Sequence, residues 1–285
     1  MHNTIYEALN RASSFLIEKG RDENAARLLL QHILQTNYSG LMMRMQDTLT
    51  EKQQLQLDEF IAAHAAGRPV QYIIGQEEFF GRIFHVDESV LIPRPETEEL
   101  IVCAIEHLTQ IFGANAKLQL ADIGTGSGAI AVTMKKEWPQ ADVTATDISA
   151  TALATAQHNA STQDAKIHFT LGDLTEPIAH QKWDVVLSNP PYIAFAEKEE
   201  MSDVVLEHEP HSALFAEEDG LILYRKLAEN LPQLMNKPAF IAVEIGYRQG
   251  PAVKELFEKN FPTAEVAVVQ DINGKDRIVY CKVNE

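Results

Sequence analysis

From residue 117 onward the chain alternates short apolar, β-branched runs with helical stretches. The first run ends in a glycine-rich turn, Asp122-Ile123-Gly124-Thr125-Gly126-Ser127-Gly128. Strands separated by helices pair in parallel, because a parallel connection must cross over one face of the sheet. The expected strands are Leu118–Ile123, Val143–Asp147, Lys166–Leu171, Asp184–Ser188 and Phe240–Ile245, with helices such as Ser149–Asn159 and Gly220–Leu231 between them. Ala264–Val283 breaks the pattern. It reads as two strands around Asn273-Gly274, a hairpin turn signal. The expected fold class is therefore α/β: a Rossmann-like sheet, mostly parallel, ending in an antiparallel hairpin.

Residues 1–70 are a different kind of sequence. Ile5, Leu9, Phe15 and Leu16 recur near helical spacing, and so do Ala25, Ala26, Leu28, Leu29 and Ile33, with Asp22 placed to cap that second run. A third helix is expected over Thr50–Ala66, turning Leu55, Leu57, Phe60 and Ile61 inward and ending at Gly67 and Pro69. This small helical domain carries no evident chemistry and reads as a packing or docking module. Residues 71–92 are rich in aromatic and β-branched types and broken by Gly75 and Gly81, which predicts a β-hairpin linker. Residues 93–285 then form the larger domain. Pro95 followed by Glu96, Glu98 and Glu99 suits the first turn of a helix.

Charge excludes more than it identifies. The 285 residues carry a net charge of -17, of which residues 1–75 contribute -1. An acidic surface repels polyanions, so direct nucleic-acid binding is not expected. No uncharged apolar run is long enough for a membrane span, and the amphipathic N-terminus lacks the layout of a signal peptide. The two cysteines, Cys103 and Cys281, fit a reducing compartment, and the expected location is cytoplasmic. Cys103 and Cys281 are expected to be packing residues. Met42, Met43 and Met45 read as core, with an adaptable contact patch as the alternative. His208 and His211 are three apart with Pro210 between them and no third ligand near, so no metal is expected.

The glycine loop lies where a strand turns into a helix, and there a ligand can approach the backbone closely. Its spacing is Gly-x-Gly-x-Gly, and it lacks the Lys-Ser or Lys-Thr pair of a phosphate-cradling loop. Gly124, Thr125, Gly126, Ser127 and Gly128 are the candidate cofactor cradle. Asp147 closes the second expected strand, 23 residues beyond Gly124, where an acid can accept from both ribose hydroxyls; the plain alternative is a helix cap. Asp173 and Leu174 follow the third strand. They can frame an adenine, with Asp173 toward its amine and Leu174 on its face, or form an ordinary loop.

After the fourth strand comes Asn189-Pro190-Pro191-Tyr192. The prolines hold the backbone outside the helical region and remove two N–H donors. The Pro190 carbonyl and the Asn189 side-chain oxygen can then face one planar NH2 group, and Tyr192 can stack on it. The alternative is a rigid turn without chemistry. Loop and turn together describe methyl transfer from a sulfonium donor to an amide or aromatic amine. An amide nitrogen is a poor nucleophile, so the help available is positioning and electrostatics.

The chain resembles the release factor glutamine methyltransferase family (HemK/PrmC type) over nearly its whole length. The resemblance is carried by Arg68–Gly75, Ile92-Pro93-Arg94-Pro95-Glu96-Thr97-Glu98, Asp122–Gly128, Asn189–Tyr192, Glu244-Ile245-Gly246 and Gly274-Lys275-Asp276-Arg277. It implies an S-adenosylmethionine-dependent methyltransferase sheet and transfer of a methyl group to the side-chain amide nitrogen of the glutamine in the Gly-Gly-Gln loop of class I peptide chain release factors. It assigns Gly124–Gly128, Asp147, Leu174 and Asn189 to the cofactor site. Asn189, Pro190, Pro191 and Tyr192 fall to the glutamine, with Asn189, Pro190 and Tyr192 as the catalytic set. The rivals are an adenine-amine methyltransferase, disfavoured by the charge, and a non-catalytic S-adenosylmethionine-binding docking protein, disfavoured by the intact Asn189 turn.

Overall fold

The computed structural model of the chain describes residues 4–284 and divides into two compact units, Met1–Gln76 with Ser202–His208, and Glu77–Met201 with Glu209–Glu285. The inclusion of Ser202–His208 in the first unit has no signal in local sequence.

The first unit contains α1 (Ile5–Glu18), α2 (Asn24–Ile33), α3 (Tyr38–Met43), α4 (Glu51–Ala65) and α5 (Val70–Ile74). Thr4 and Glu7 close a capping box on α1, and Thr50 and Gln53 close one on α4. Asp22 accepts from the Asn24 amide at 2.9 Å at the head of α2. The core is built from Ile5, Leu16, Ala26, Leu29, Leu30, Leu41 and Leu57. Three expectations need correction. Met43, read as core with Met42 and Met45, is 83% exposed, and only Met42 and Met45 pack against the helical core. Leu55 is 70% exposed, because two residues from buried Leu57 is about 200° around a helix. Gln71–Ile74 is helical, although β-branched residues there suggested a strand. Pro69 stands at the head of that turn and Gly75, at φ +73°, ends it. The hairpin is therefore shorter than 71–92: β1 (Gln76–Phe79) and β2 (Arg82–His85), joined at Phe80-Gly81.

The second unit continues through α6 (Pro95–Phe112), β3 (Gln119–Ile123), α7 (Ala129–Glu137), β4 (Asp142–Asp147), α8 (Ala150–Thr162), β5 (Ile167–Leu171), β6 (Trp183–Ser188) and β7 (Ile193–Ala194). The chain passes through α9 (Asp203–His208) of the first unit, then returns as β8 (Phe215–Ala216), α10 (Ile222–Asn230), β9 (Met235–Glu244), α11 (Gly250–Asn260), β10 (Glu265–Gln270) and β11 (Asp276–Val283). The main sheet runs β10-β11-β9-β6-β3-β4-β5. β9, β6, β3, β4 and β5 are mutually parallel, and β11 is antiparallel to both β9 and β10. The α/β class with its terminal antiparallel hairpin is the one expected.

Successive strand residues point to opposite faces, and the burial follows that rule. Phe240 and Ala242 join Val185 and Leu187 in the core beneath α6 and α7, whereas Ile241 and Val243 join Val186 beneath α10 and α11. Cys103 and Cys281 are buried and unpaired, and burial pushes both thiols up to about 12, so neither is a nucleophile near neutral pH. Among the described residues no helix is long and apolar enough to cross a membrane.

Candidate active site

The chain lays β3, β4 and β5 outward on one side and then returns to place β6 on the other side of β3. A sheet that reverses direction in this way opens a crevice at the carboxyl ends of the two strands flanking the reversal. Register fixes what lies there. Ile123 pairs with Ser188, and the Ser188 hydroxyl donates to the Ile123 carbonyl at 2.7 Å. The next residues, Gly124 and Asn189, therefore leave the sheet side by side. A cavity of about 520 Å³ occupies this position.

The glycine loop is tied down from below. The Gly124 and Thr125 amides both donate to the Thr146 carbonyl at 2.9 Å. Asp122 is fully buried and accepts from the Thr125 hydroxyl at 2.6 Å and the Ala131 amide at 3.1 Å. Burial pushes its carboxyl up to about 7. The two hydrogen bonds oppose that rise, and the nearby Asp147 charge adds to it. At Gly124 and Gly126 a Cβ would meet no protein atom within 4 Å, so the loop presents open backbone to a ligand. Asp147 accepts from the Gly126 amide through Oδ2 and from the Ser149 amide through Oδ1, both at 2.9 Å. The cap of α8 is Ser149, which accepts from the Ala152 amide. Asp147, Asp173, Leu174 and all of Gly124–Ser127 line the cavity. Gly128 is not among the lining residues; it starts α7. This cradle of open glycine backbone, an acid at the next strand end and an apolar side chain beyond it fits an adenosyl group.

Across the crevice the cavity wall includes Asn189, Pro190 and Pro191. Tyr192 lies apart from that lining. Its ring packs partly buried against the α10–α11 core, and burial pushes its phenol well above the usual range. The stacking face expected of Tyr192 is thus turned into the protein. Its carbonyl accepts from the Gln249 side chain at 2.9 Å, and Gln249 in turn accepts from the Gly246 amide. Aromatic surface at the cavity comes instead from Phe195 and Phe215, whose rings stack 5.2 Å apart at 15°.

Two residues with no role read from the sequence stand behind Asn189. Its Nδ2 donates to the Thr97 hydroxyl at 3.1 Å, and that hydroxyl donates to Glu244 Oε2 at 2.6 Å. Glu244 is 2% exposed, and burial pushes its carboxyl up to about 7 despite the Thr97 bond and the Arg277 charge. Arg277 is held by buried Asp271 at 3.1 Å. Arg94, on the cavity wall, pairs with Glu209, which also accepts from the Ile92 amide. His211 meets the Phe215 ring edge-on, and no group of three or more His, Cys, Asp or Glu able to hold a metal is found among the described residues.

Comparison with known proteins places the chain in a family. Residues 7–75 match the family model of the PrmC N-terminal domain, and residues 103–220 that of the methyltransferase small domain. The chain is 50% identical to the release factor glutamine methyltransferase of Bacillus anthracis, over 98% of this chain and 99% of that protein. It is 45% identical to that of Bacillus subtilis, over 99% of each. Among solved structures, a methyltransferase from Pyrococcus furiosus shares the fold with a TM-score of 0.54 at 15% identity, over 83% of this chain and all of that one.

Proposed function

The chain belongs to the release factor glutamine methyltransferase family, and from that premise we propose that the Asn189-Pro190-Pro191 stretch of the turn holds the glutamine amide while Gly124–Ser127, Asp147, Asp173 and Leu174 hold S-adenosylmethionine. The enzyme uses S-adenosylmethionine to methylate a glutamine of a release factor; the acceptor is a protein amide and not a nucleic-acid amine. The observation that carries the site assignment is the Ile123–Ser188 register, which sets donor cradle and acceptor turn next to each other at one sheet edge.

When bound, the cofactor supplies a sulfonium-borne methyl group. The protein's part is to present a nitrogen. Asn189 Oδ1 and the Pro190 carbonyl accept the two amide hydrogens, which orients the nitrogen lone pair toward the cradle and favours pyramidal geometry as the new C–N bond forms. Asn189 is neutral and is no base, so the surplus proton leaves to water or to a carbonyl. The substrate segment is the Gly-Gly-Gln loop of class I release factors, where the reaction would take place in the cytoplasm. Incubation with labelled S-adenosylmethionine and intact release factor should label the factor, and a factor with that glutamine replaced by alanine should stay unlabelled. Equal label on both would refute the assignment.

The N-terminal domain, residues 1–70, is read as the substrate-docking domain. Met43 and Leu55 there are 83% and 70% exposed and are the candidate contact residues. Replacing both by serine is expected to raise KM for release factor about fivefold or more, since fully burying a Leu or Met side chain contributes about 1.5–3 kcal/mol. Cofactor affinity should not move. Unchanged KM would place docking elsewhere.

A further inference from the structure

An asparagine amide has two ends of nearly the same shape and opposite chemistry. Only the oxygen end can receive the hydrogens of a substrate NH2 group; the nitrogen end would set donor against donor. Something must decide which end faces the cavity. Thr97, on α6, has one hydroxyl proton, and it is committed to Glu244 Oε2, on β9, at 2.6 Å. Its oxygen can then only accept, and it accepts from Asn189 Nδ2 at 3.1 Å. Thr97 touches the cavity wall but is only 5% exposed, and Glu244 2%, so a mismatch inside the pair is costly.

We propose that Thr97 and Glu244 are positioning residues that set the polarity of Asn189: the acceptor-only carboxylate orders the Thr97 hydroxyl, the hydroxyl orders the amide, and Asn189 Oδ1 is left facing the substrate. This deepens the reading of Asn189 as the glutamine's acceptor and rests on it. It also gives a chemical reason for an acid in a dry place. Glutamine at 244 has the same shape but always carries one NH2 end. Turned toward Thr97, that end would release the hydroxyl proton to Asn189 Oδ1. In that orientation the catalytic amide turns over.

Protonation of Glu244 does the same thing by a different route, because a carboxylic acid can donate to Thr97. The groups facing Glu244 are Arg277 from β11, Glu96 from α6, Tyr192 from the turn, and Tyr224 from α10, whose hydroxyl donates to the Glu244 main-chain carbonyl at 2.8 Å. With its carboxyl pushed up to about 7, the fraction of correctly poled enzyme falls as pH drops through that value.

The test measures kcat, KM for release factor and cofactor Kd in the full-length protein. Thr97→Val and Glu244→Gln should each lower kcat by roughly 10²-fold, the size expected when a preorganised polar partner of the reacting group is removed. Cofactor Kd should change less than about threefold, and Thr97→Ser, which keeps the hydroxyl, should restore kcat to within ~3-fold of the parent. The parent and Thr97→Ser should show an acid limb in kcat near pH 7, and in Glu244→Gln that limb should vanish. If Thr97→Val and Glu244→Gln both keep parental kcat while Asn189→Ala is inactive, the polarity role is overturned and the glutamine site stands. An active Asn189→Ala overturns the site itself. A kcat loss matched by an equal loss of cofactor affinity shows a merely structural role and also overturns the proposal.

Discussion

Asn189→Ala is expected to lower kcat by roughly 10³-fold while leaving cofactor affinity within a few-fold of the parent. Removing one preorganised hydrogen-bond partner from a reacting group removes about 10²–10³ in rate. Here the loss should sit at the upper end, because the same oxygen both binds the amide and fixes its direction. The cradle for the cofactor is built from other strands: its glycine loop is tied to Thr146 and Asp122, and its acid to Gly126 and Ser149. None of those bonds passes through Asn189. Single-turnover methylation with labelled cofactor reads the first quantity, and equilibrium dialysis the second. A parallel fall in both would place Asn189 in the cofactor site instead.

Gly220→Ala is expected to damage the same turn from behind. Gly220 sits at φ +81°, where an L side chain is strained, and an added Cβ would lie 2.0 Å from the Tyr192 carbonyl oxygen and 2.9 Å from its carbon. Those are backbone atoms, so no rotamer change relieves the clash. The nearby Gln249 side chain, which donates to both the Tyr192 and Asp219 carbonyls, would be 2.5 Å away. The left-handed conformation alone costs about 1–2 kcal/mol in an L residue. With the displacement of the turn added, a loss of ~3 kcal/mol and a fall of about 6–12 °C in the unfolding midpoint are expected, and kcat should drop as the Asn189 turn shifts. Differential scanning calorimetry and the labelling assay measure the two effects; an unchanged midpoint would show that the turn has slack.

Several parts of this site were legible because their signals are local. A glycine loop at a strand end, an acid 23 residues on and a double proline after another strand each need only a short window. The parallel sheet followed from alternation, and its closing hairpin from Asn273-Gly274. Thr97 and Glu244 were legible only as parts of recognisable runs, without a role. Asn189 and Thr97 are 92 residues apart, Thr97 and Glu244 147 apart, and no spacing rule spans such distances. Tyr192 was misplaced for a related reason. An aromatic residue after a turn can face cavity or core, and the choice was made by the α10–α11 core, which lies far along the chain. Gln71–Ile74 went wrong because β-branched composition favours a strand, whereas Pro69 and Gly75 bracket a single helical turn.

β11 follows both β9 and β10 in the chain, yet it lies between them in the sheet, hydrogen-bonded to β9 on one side and β10 on the other. A nascent polypeptide stalled before residue 276 has two strands waiting for a neighbour that does not exist, and it lacks the Arg277 that stands near Glu244 and Tyr192. Assembly of this half of the sheet thus waits on residues 276–283. Until it finishes, β9 and β10 present bare edges of the sort that recruit strands from other molecules.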